Sequence, residues 1–282
     1  TLIASFLITG SQTWLAQSDR LLEFPLGIFG IALGTVILPT LSRHHVATDR
    51  EGFSRALDWG LRSTLLVALP AMVGLVMLAK PLLFTLLQYG AFTAHDVNMA
   101  SMSLSALALG LPAFALVKVV APAFYARQDT KTPVRAGIIA MIVSMLLNIV
   151  FVGGLLVLWA SPGDDANGWW ARLSTTPGLH AGLGLASACA SYLNLALLWR
   201  ALRKSNVYVA HAGWWKHWLR LLLACGAMAL VLALLLSLWP DWASPGVATR
   251  LYRLAALVLA GAATFSLVMY AMGLRLRDLR GD

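Results

Sequence analysis

The chain has 282 residues, of which 59% are hydrophobic and only 12% are charged. Soluble domains carry about a quarter of their residues as charged side chains, so this composition excludes an ordinary soluble globular protein. In a soluble protein the net charge of +9 would suggest nucleic acid as a partner, but here it concerns which side of a membrane holds the Lys and Arg residues. The sequence predicts an all-α polytopic membrane protein.

About seven apolar stretches approach or exceed the ~20 residues that a helix needs to cross a bilayer. Residues 1–9 are too short to span, and neither an initiator Met nor a signal-peptide pattern is present. We therefore expect the chain to be the C-terminal part of a larger protein. The predicted spans cover about residues 12–42, 56–79, 97–126, 134–158, 179–200, 219–239 and 251–273.

The first complete span carries charges inside its apolar sequence. Asp19, Arg20 and Glu23 belong to the motif SDRLLEFP, which has apolar residues on both sides. An Arg at the centre of a membrane helix costs about 2.5–3.5 kcal/mol on insertion scales, so it usually faces a protein interior or a wet cavity. Two interpretations stay open: structural ion pairs, such as Arg20 with Glu23, and a cationic site for an anionic substrate within the bilayer.

A polar stripe is predicted along the same helix. At 100° per residue, Thr13, Gln17, Arg20 and Gly27 fall on one face, opposite an apolar back. Pro25 lacks a backbone N–H and predicts a bend five residues after Arg20. The helix therefore has one small and polar face that is suited to line a cavity.

Polar groups are rarer in the later spans. Lys118 lies about two turns before Arg127, so it either extends to the membrane interface or lines a cavity. Arg62, near the start of the second span, is expected to extend to the interface. Asn148 is expected to form a hydrogen bond to a neighbouring helix.

The Lys and Arg residues predict the orientation of the chain. Fourteen of the 21 lie at one set of alternating span ends, which includes the C-terminal tail, and four lie at the opposite ends. By the positive-inside rule, the C-terminus is expected in the cytoplasm. Most Trp residues fall at span ends, as in an aromatic belt.

The last two spans contain no charge or strong amide within their apolar runs. They are suited either to face lipid or to form a groove for a hydrocarbon tail. Cys189 and Cys225 lie in apolar runs and are interpreted as small hydrophobic residues, so neither a disulfide nor a metal site is predicted.

Three segments resemble one known family, the MurJ/MviN lipid II flippases. They are SDRLLEFPLGIFGIALGTVILPTLSRH at 18–44, YGAFTAHD at 89–96 and FYARQDTKTPV at 124–134, and they occur in the family's order. The resemblance covers essentially the whole chain. It implies a multidrug/oligosaccharidyl-lipid/polysaccharide exporter-like helical lobe at 1–202, followed by two C-terminal helices with a cytoplasmic tail at 203–282. The first lobe of the fourteen-helix family fold is missing.

The resemblance also implies a function and a set of site residues. These flippases move the undecaprenyl-pyrophosphate-linked peptidoglycan precursor, lipid II, from the inner to the outer leaflet of the bacterial cytoplasmic membrane. Their central cavity is cationic, and Arg20 matches its Arg in this half, with Asp19 and Glu23 also matching. Thr13 falls where the family commonly has a small hydroxyl residue, and Gln17 completes the candidate substrate-binding set.

Lys118 and Arg127 are further candidates for a cavity or a gate. The resemblance implies a transporter and not an enzyme, and no cofactor or metal site is predicted. Its partners would be lipid II, membrane lipids and the missing N-terminal lobe, with no nucleic acid. The last two helices would form the groove for the polyprenyl tail.

Two other functions fit parts of the sequence. A related exporter of soluble cationic compounds would need a dominant acidic site, which Asp19 and Glu23 could supply, although Arg20 lies among them. A membrane enzyme acting on polyprenyl phosphates would need an acidic metal-binding cluster. Asp164 and Asp165 are adjacent, but they fall in a loop that is predicted to be external.

Overall fold

The computed structural model describes residues 3–159, 168–205, 208, 209, 211 and 213–273, without the side chains of residues 3, 28–36, 159 and 169–171. This part of the chain is helical and contains no strand, which confirms the predicted fold class. A short 3-10 helix, Ile3–Phe6, precedes the α-helices. These are α1 (Ser11–Val46), α2 (Arg50–Met77), α3 (Ala79–Leu86), α4 (Ala94–Ala108), α5 (Leu111–Tyr125), α6 (Lys131–Trp159), α7 (Gly168–Thr175), α8 (His180–Lys204), α9 (Trp214–Leu238) and α10 (Val247–Ala271).

Five of these helices, α2, α6, α8, α9 and α10, are long and apolar enough to cross a membrane, and the bent pair α4–α5 makes a sixth. The predicted first span lies within α1, whose 36 residues extend over about 54 Å at ~1.5 Å per residue. Asp164, Asp165 and the basic tail after Gly273 fall outside the described residues. A polytopic helical membrane protein is therefore confirmed.

The predicted span at 97–126 is a broken helix and not a continuous one. Its two halves, α4 and α5, meet at Leu109 and Gly110 with a bend of 41°. A side chain at Gly110 would place Cβ 2.8 Å from the Cα of Ala188 on α8, so only glycine allows this approach. Pro112, in the first turn of α5, lacks the backbone N–H that would continue the helical hydrogen bonds of α4. The Tyr192 hydroxyl donates a hydrogen bond to the Leu109 carbonyl at the break, at 3.0 Å.

The helices pack around a central group of α1, α2, α4 and α5. Helix α8 packs on α4 and α5, and α6 packs mainly on α8. Helix α9 packs on α2 and α10, and α10 also packs on α3. One buried core joins α9 and α10 to α1, α3 and α4, and it includes Trp14, Leu83, Leu104, Leu232 and Leu257.

Arg62, which is expected near the membrane interface, also contacts a buried carboxylate that sequence reasoning did not indicate. Its Nε lies 2.7 Å from Oδ2 of buried Asp58, at an angle outside that of a hydrogen bond, so this contact is Coulombic. Tyr208 Oη and Trp214 Nε1 each donate to Asp58 Oδ1 at 2.7 Å. The Arg62 guanidinium also lies 5.1 Å from the Trp214 ring centre. This cluster, called here the Asp58 cluster, attaches the segment between α8 and α9 to α2.

Candidate functional site

Four residues on one side of α1 fix how the helix is rotated. Trp14, Ser18, Leu22 and Leu26 follow one another at intervals of four, and each is at most 8% exposed. The Ser18 hydroxyl shares its hydrogen between the carbonyl oxygens of Trp14 at 2.7 Å and Ala100 of α4 at 2.9 Å. Because this stripe is buried against the bundle, the residues on the opposite side of α1 face away from it.

The opposite face of α1 is open and centred on Arg20. At ~100° per residue, Arg20 points about 180° away from the middle of the buried stripe. Thr13, Arg20 and Gly27 are exposed and Gln17 is half-buried, so the predicted polar stripe lies on one open face. Among the residues that the structure describes, no acidic oxygen lies within 4 Å of the Arg20 guanidinium. The pair of Arg20 with Glu23, one of the two interpretations left open by the sequence, is therefore not formed.

Asp19 and Glu23, one helical turn apart, lie on the side of α1 that faces α5. Together with Lys118 of α5 they line a pocket of about 390 Å³. The Lys118 ammonium donates to the Leu26 carbonyl at 3.4 Å. Lys118 therefore lines the same pocket as the two carboxylates, which agrees with the cavity-lining one of its two predicted roles. The remaining lining residues are Leu22, Leu26, Gly27 and Phe114.

The two polar surfaces of α1 offer different chemistry. A guanidinium presents a planar fork of N–H groups that can contact two oxygens of a phosphate at once, and an ammonium cannot do so. Arg20 places such a fork on the open face. The pocket beside it combines two acceptors, Asp19 and Glu23, with one donor, Lys118. Neighbouring positions can therefore bind an anion and a group with hydroxyl, amide or amino hydrogens.

Two other candidate residues lie away from this pocket. Arg127 is nine residues after Lys118, about 14 Å further along the helix direction, and its guanidinium donates to the Ser205 hydroxyl at 3.1 Å. The structure does not bring it together with Arg20. Asn148 of α6 was expected to form a hydrogen bond between helices, but its buried Oδ1 has no hydrogen-bond partner among the described residues.

Sequence reasoning missed the residues that hold the start of α1 in place. The Trp14 indole N–H donates to Asp96 Oδ1 at 2.8 Å, and its ring centre lies 5.0 Å from that of fully buried His180. His180 Nε2 lies 2.9 Å from the Met99 carbonyl oxygen. The sequence holds a weak signal for this contact, because Trp14 and Ser18 are four apart and lie at least about 120° from Arg20 on a helical wheel.

The chain matches the family model described as lipid II flippase MurJ over residues 1–252. It is similar to a probable lipid II flippase MurJ of Vibrio cholerae, with 43% identity over 99% of this chain and 49% of that protein. A probable lipid II flippase MurJ of Haemophilus influenzae is 40% identical over 99% of this chain and 51% of that protein. The lipid II flippase MurJ of Burkholderia cenocepacia is 41% identical over 83% of this chain and 40% of that protein.

The chain thus spans about half the length of the curated relatives that it matches most fully. The family match extends over most of the sequence and includes α1, with its open Arg20 face and the adjoining pocket. On these grounds the chain belongs to the lipid II flippase MurJ family.

Proposed function

We propose that this chain is the C-terminal half of a lipid II flippase. The full-length protein would move the undecaprenyl-pyrophosphate-linked peptidoglycan precursor from the inner to the outer leaflet of the bacterial cytoplasmic membrane by alternating access. The observation that carries this proposal is the Arg20 guanidinium, which lies on the open face of α1 without an ionic partner within 4 Å in the described part of the chain. The family relationship supports the same conclusion.

The physical cost of Arg20 supports a role in binding. A charged side chain at bilayer depth costs about 2.5–3.5 kcal/mol or more, unless it faces water or a protein interior. We infer that the N-terminal lobe of the full-length protein covers the open face of α1, and that a wet cavity lies between the two lobes. A pyrophosphate passing through this cavity would replace water on Arg20 by two charge-assisted hydrogen bonds.

The pocket of Asp19, Glu23 and Lys118 is suited to the rest of the substrate head. A sugar-peptide head carries hydroxyl and amide groups. Carboxylates can accept hydrogen bonds from their O–H and N–H groups, and an ammonium can donate hydrogen bonds to their oxygens. Thr13 and Gln17 extend the polar surface along the same helix. The alternative, export of soluble cationic compounds, has less support because the cation Lys118 lines the same pocket as the carboxylates that would have to bind the substrate.

The remaining parts of the chain have proposed roles in the same process. Residues 1–202 would form the second-lobe bundle, and 203–282 the two C-terminal helices with a cytoplasmic tail. Exposed leucines on both helices, such as Leu230, Leu234 and Leu259, support a hydrophobic surface for the polyprenyl tail. The C-terminus would be cytoplasmic by the distribution of Lys and Arg. The protein would act as a transporter and not as an enzyme.

Substitution of Arg20 in the full-length protein tests the proposal. Both Arg20→Ala and Arg20→Lys should fail to support growth of a strain depleted of its own flippase, while membrane levels stay normal. The Lys variant keeps the charge but not the planar fork, so it separates phosphate recognition from charge alone. Arg43→Ala is the matched control, because Arg43 is exposed in the last turn of the same helix. Growth supported by Arg20→Ala at normal levels would contradict the proposal.

A further inference from the structure

A second pocket lies on a different part of the bundle, between α8 and α9. Helix α9 packs on α2 and α10, which leaves a gap between α9 and α8. Leu61 and Leu65 of α2 and Leu116 of α5 form the floor of this gap, and the pocket holds about 480 Å³. That volume lies within the ~300–1,000 Å³ typical of ligand-binding cavities. We call it the α8–α9 pocket.

One end of the α8–α9 pocket is aromatic and basic, and its interior is apolar. Trp199, Trp214 and Trp218 lie at the end of the pocket where α8 finishes and α9 begins, together with the exposed Arg203. Amphipathic indole rings are typical of the level of lipid head groups, so this end is suited to the membrane interface. The apolar interior is suited to a hydrocarbon chain.

The charges at this end favour an anionic ligand. Among the described residues, no acidic oxygen lies within 4 Å of Arg203. The nearby Asp58 is buried, and its carboxylate already contacts Tyr208, Trp214 and Arg62. The lining residues that the structure describes include no carboxylate for the ammonium of a zwitterionic lipid. The pocket therefore offers a guanidinium for a phosphate, whereas a cationic head group would meet aromatic rings but no carboxylate among the described lining residues.

We propose that the α8–α9 pocket binds one anionic phospholipid of the cytoplasmic leaflet, with an acyl chain between α8 and α9 and its phosphate on Arg203. The leaflet follows from the proposed orientation, because this end of the helices also exposes Lys204 and Lys216. Such a lipid would fill the gap that packing leaves between α8 and α9. It is a bound membrane lipid, distinct from the substrate proposed to pass the open face of α1.

Lipid binding to the purified full-length protein tests this inference without any transport measurement. Native mass spectrometry would give the affinity of the first bound lipid for phosphatidylglycerol and, separately, for phosphatidylcholine. Arg203→Gln should weaken phosphatidylglycerol binding about fivefold, as expected for one interfacial basic residue. It should weaken phosphatidylcholine binding less, because the choline cation beside the same phosphate opposes its attraction to the guanidinium. Arg200→Gln is the matched control, since Arg200 is exposed one turn earlier on α8 and does not line the pocket.

A second variant tests the acyl-chain part of the site. Ala196 is exposed on the wall of the pocket, so Ala196→Trp should fill the space without disturbing the buried core, and should remove binding of both lipids. Equal phosphatidylglycerol affinity in Arg203→Gln and Arg200→Gln would overturn the head-group assignment. Unchanged binding by Ala196→Trp, with an unchanged thermal midpoint, would overturn the location. Neither result depends on whether the Arg20 variants support growth, so either proposal can fail without the other.

Discussion

Replacing Asp58 by Ala removes a carboxylate that three side chains contact. Arg62, Tyr208 and Trp214 all contact this carboxylate, whose side chain is only 7% exposed. Burial, followed by the neighbouring Asp58 carboxylate, raises the pKa of Tyr208, so its hydroxyl remains a hydrogen-bond donor at neutral pH. In the Ala variant, Tyr208 and Trp214 lose their hydrogen-bond acceptor, and the Arg62 charge loses its counterion.

The expected cost follows from this burial. Removing one partner of a buried ion pair typically costs about 3–5 kcal/mol, because the remaining charge is left without compensation. The same helix contains a matched control, the Glu51–Arg55 pair, which has the same spacing of four but side chains 76% and 62% exposed and 3.6 Å apart. Glu51→Ala should cost less than about 1 kcal/mol.

The measurement is the free energy of unfolding of the full-length protein in detergent micelles, by titration with sodium dodecyl sulfate. Asp58→Ala, Arg62→Ala and the double variant form a cycle whose coupling energy should lie near the upper end of the ~0.5–3 kcal/mol range for contacting residues. A coupling energy below ~0.5 kcal/mol would refute the reasoning. So would a cost of Asp58→Ala that does not exceed that of Glu51→Ala.

Three further predictions concern other sites. Gly110→Ala should lower the thermal midpoint, because the new Cβ would lie 2.8 Å from the Ala188 backbone; an unchanged midpoint would contradict this packing. Hydrogen bonds from Thr132 hold the pKa of Asp129 below its usual value, so the ionised carboxylate stabilises the fold above pH ~4 and this stability is lost as the pH falls through the lowered pKa. The thermal midpoint of Asp129→Asn should therefore lie below that of the wild type at pH 7, and the two midpoints should converge in acid. A difference in midpoint that does not change with pH would contradict this. Lys118→Met should reduce growth support at normal membrane levels, and full support would argue against a role for the pocket.

The sequence by itself determined those features of the protein that depend on a single helix or a contiguous segment. Hydrophobic length predicts the spans because a helix must satisfy its backbone inside the bilayer. The stripe of Thr13, Gln17, Arg20 and Gly27 was predictable for a similar reason, since the helical period alone places these residues on one face. The motif at 18–44 also indicates the family, because its residues are contiguous in the chain and need no tertiary contact to be identified.

Only the tertiary structure decided which groups meet across helices. Tyr208 and Trp214 lie 150 and 156 residues after Asp58, so no local period connects them. The broken span at Gly110 depends on the approach of α8, and the role of Lys118 depends on how α5 packs beside α1. Side-chain direction within a helix follows from its period, but the partner that a side chain meets depends on packing between segments far apart in the chain.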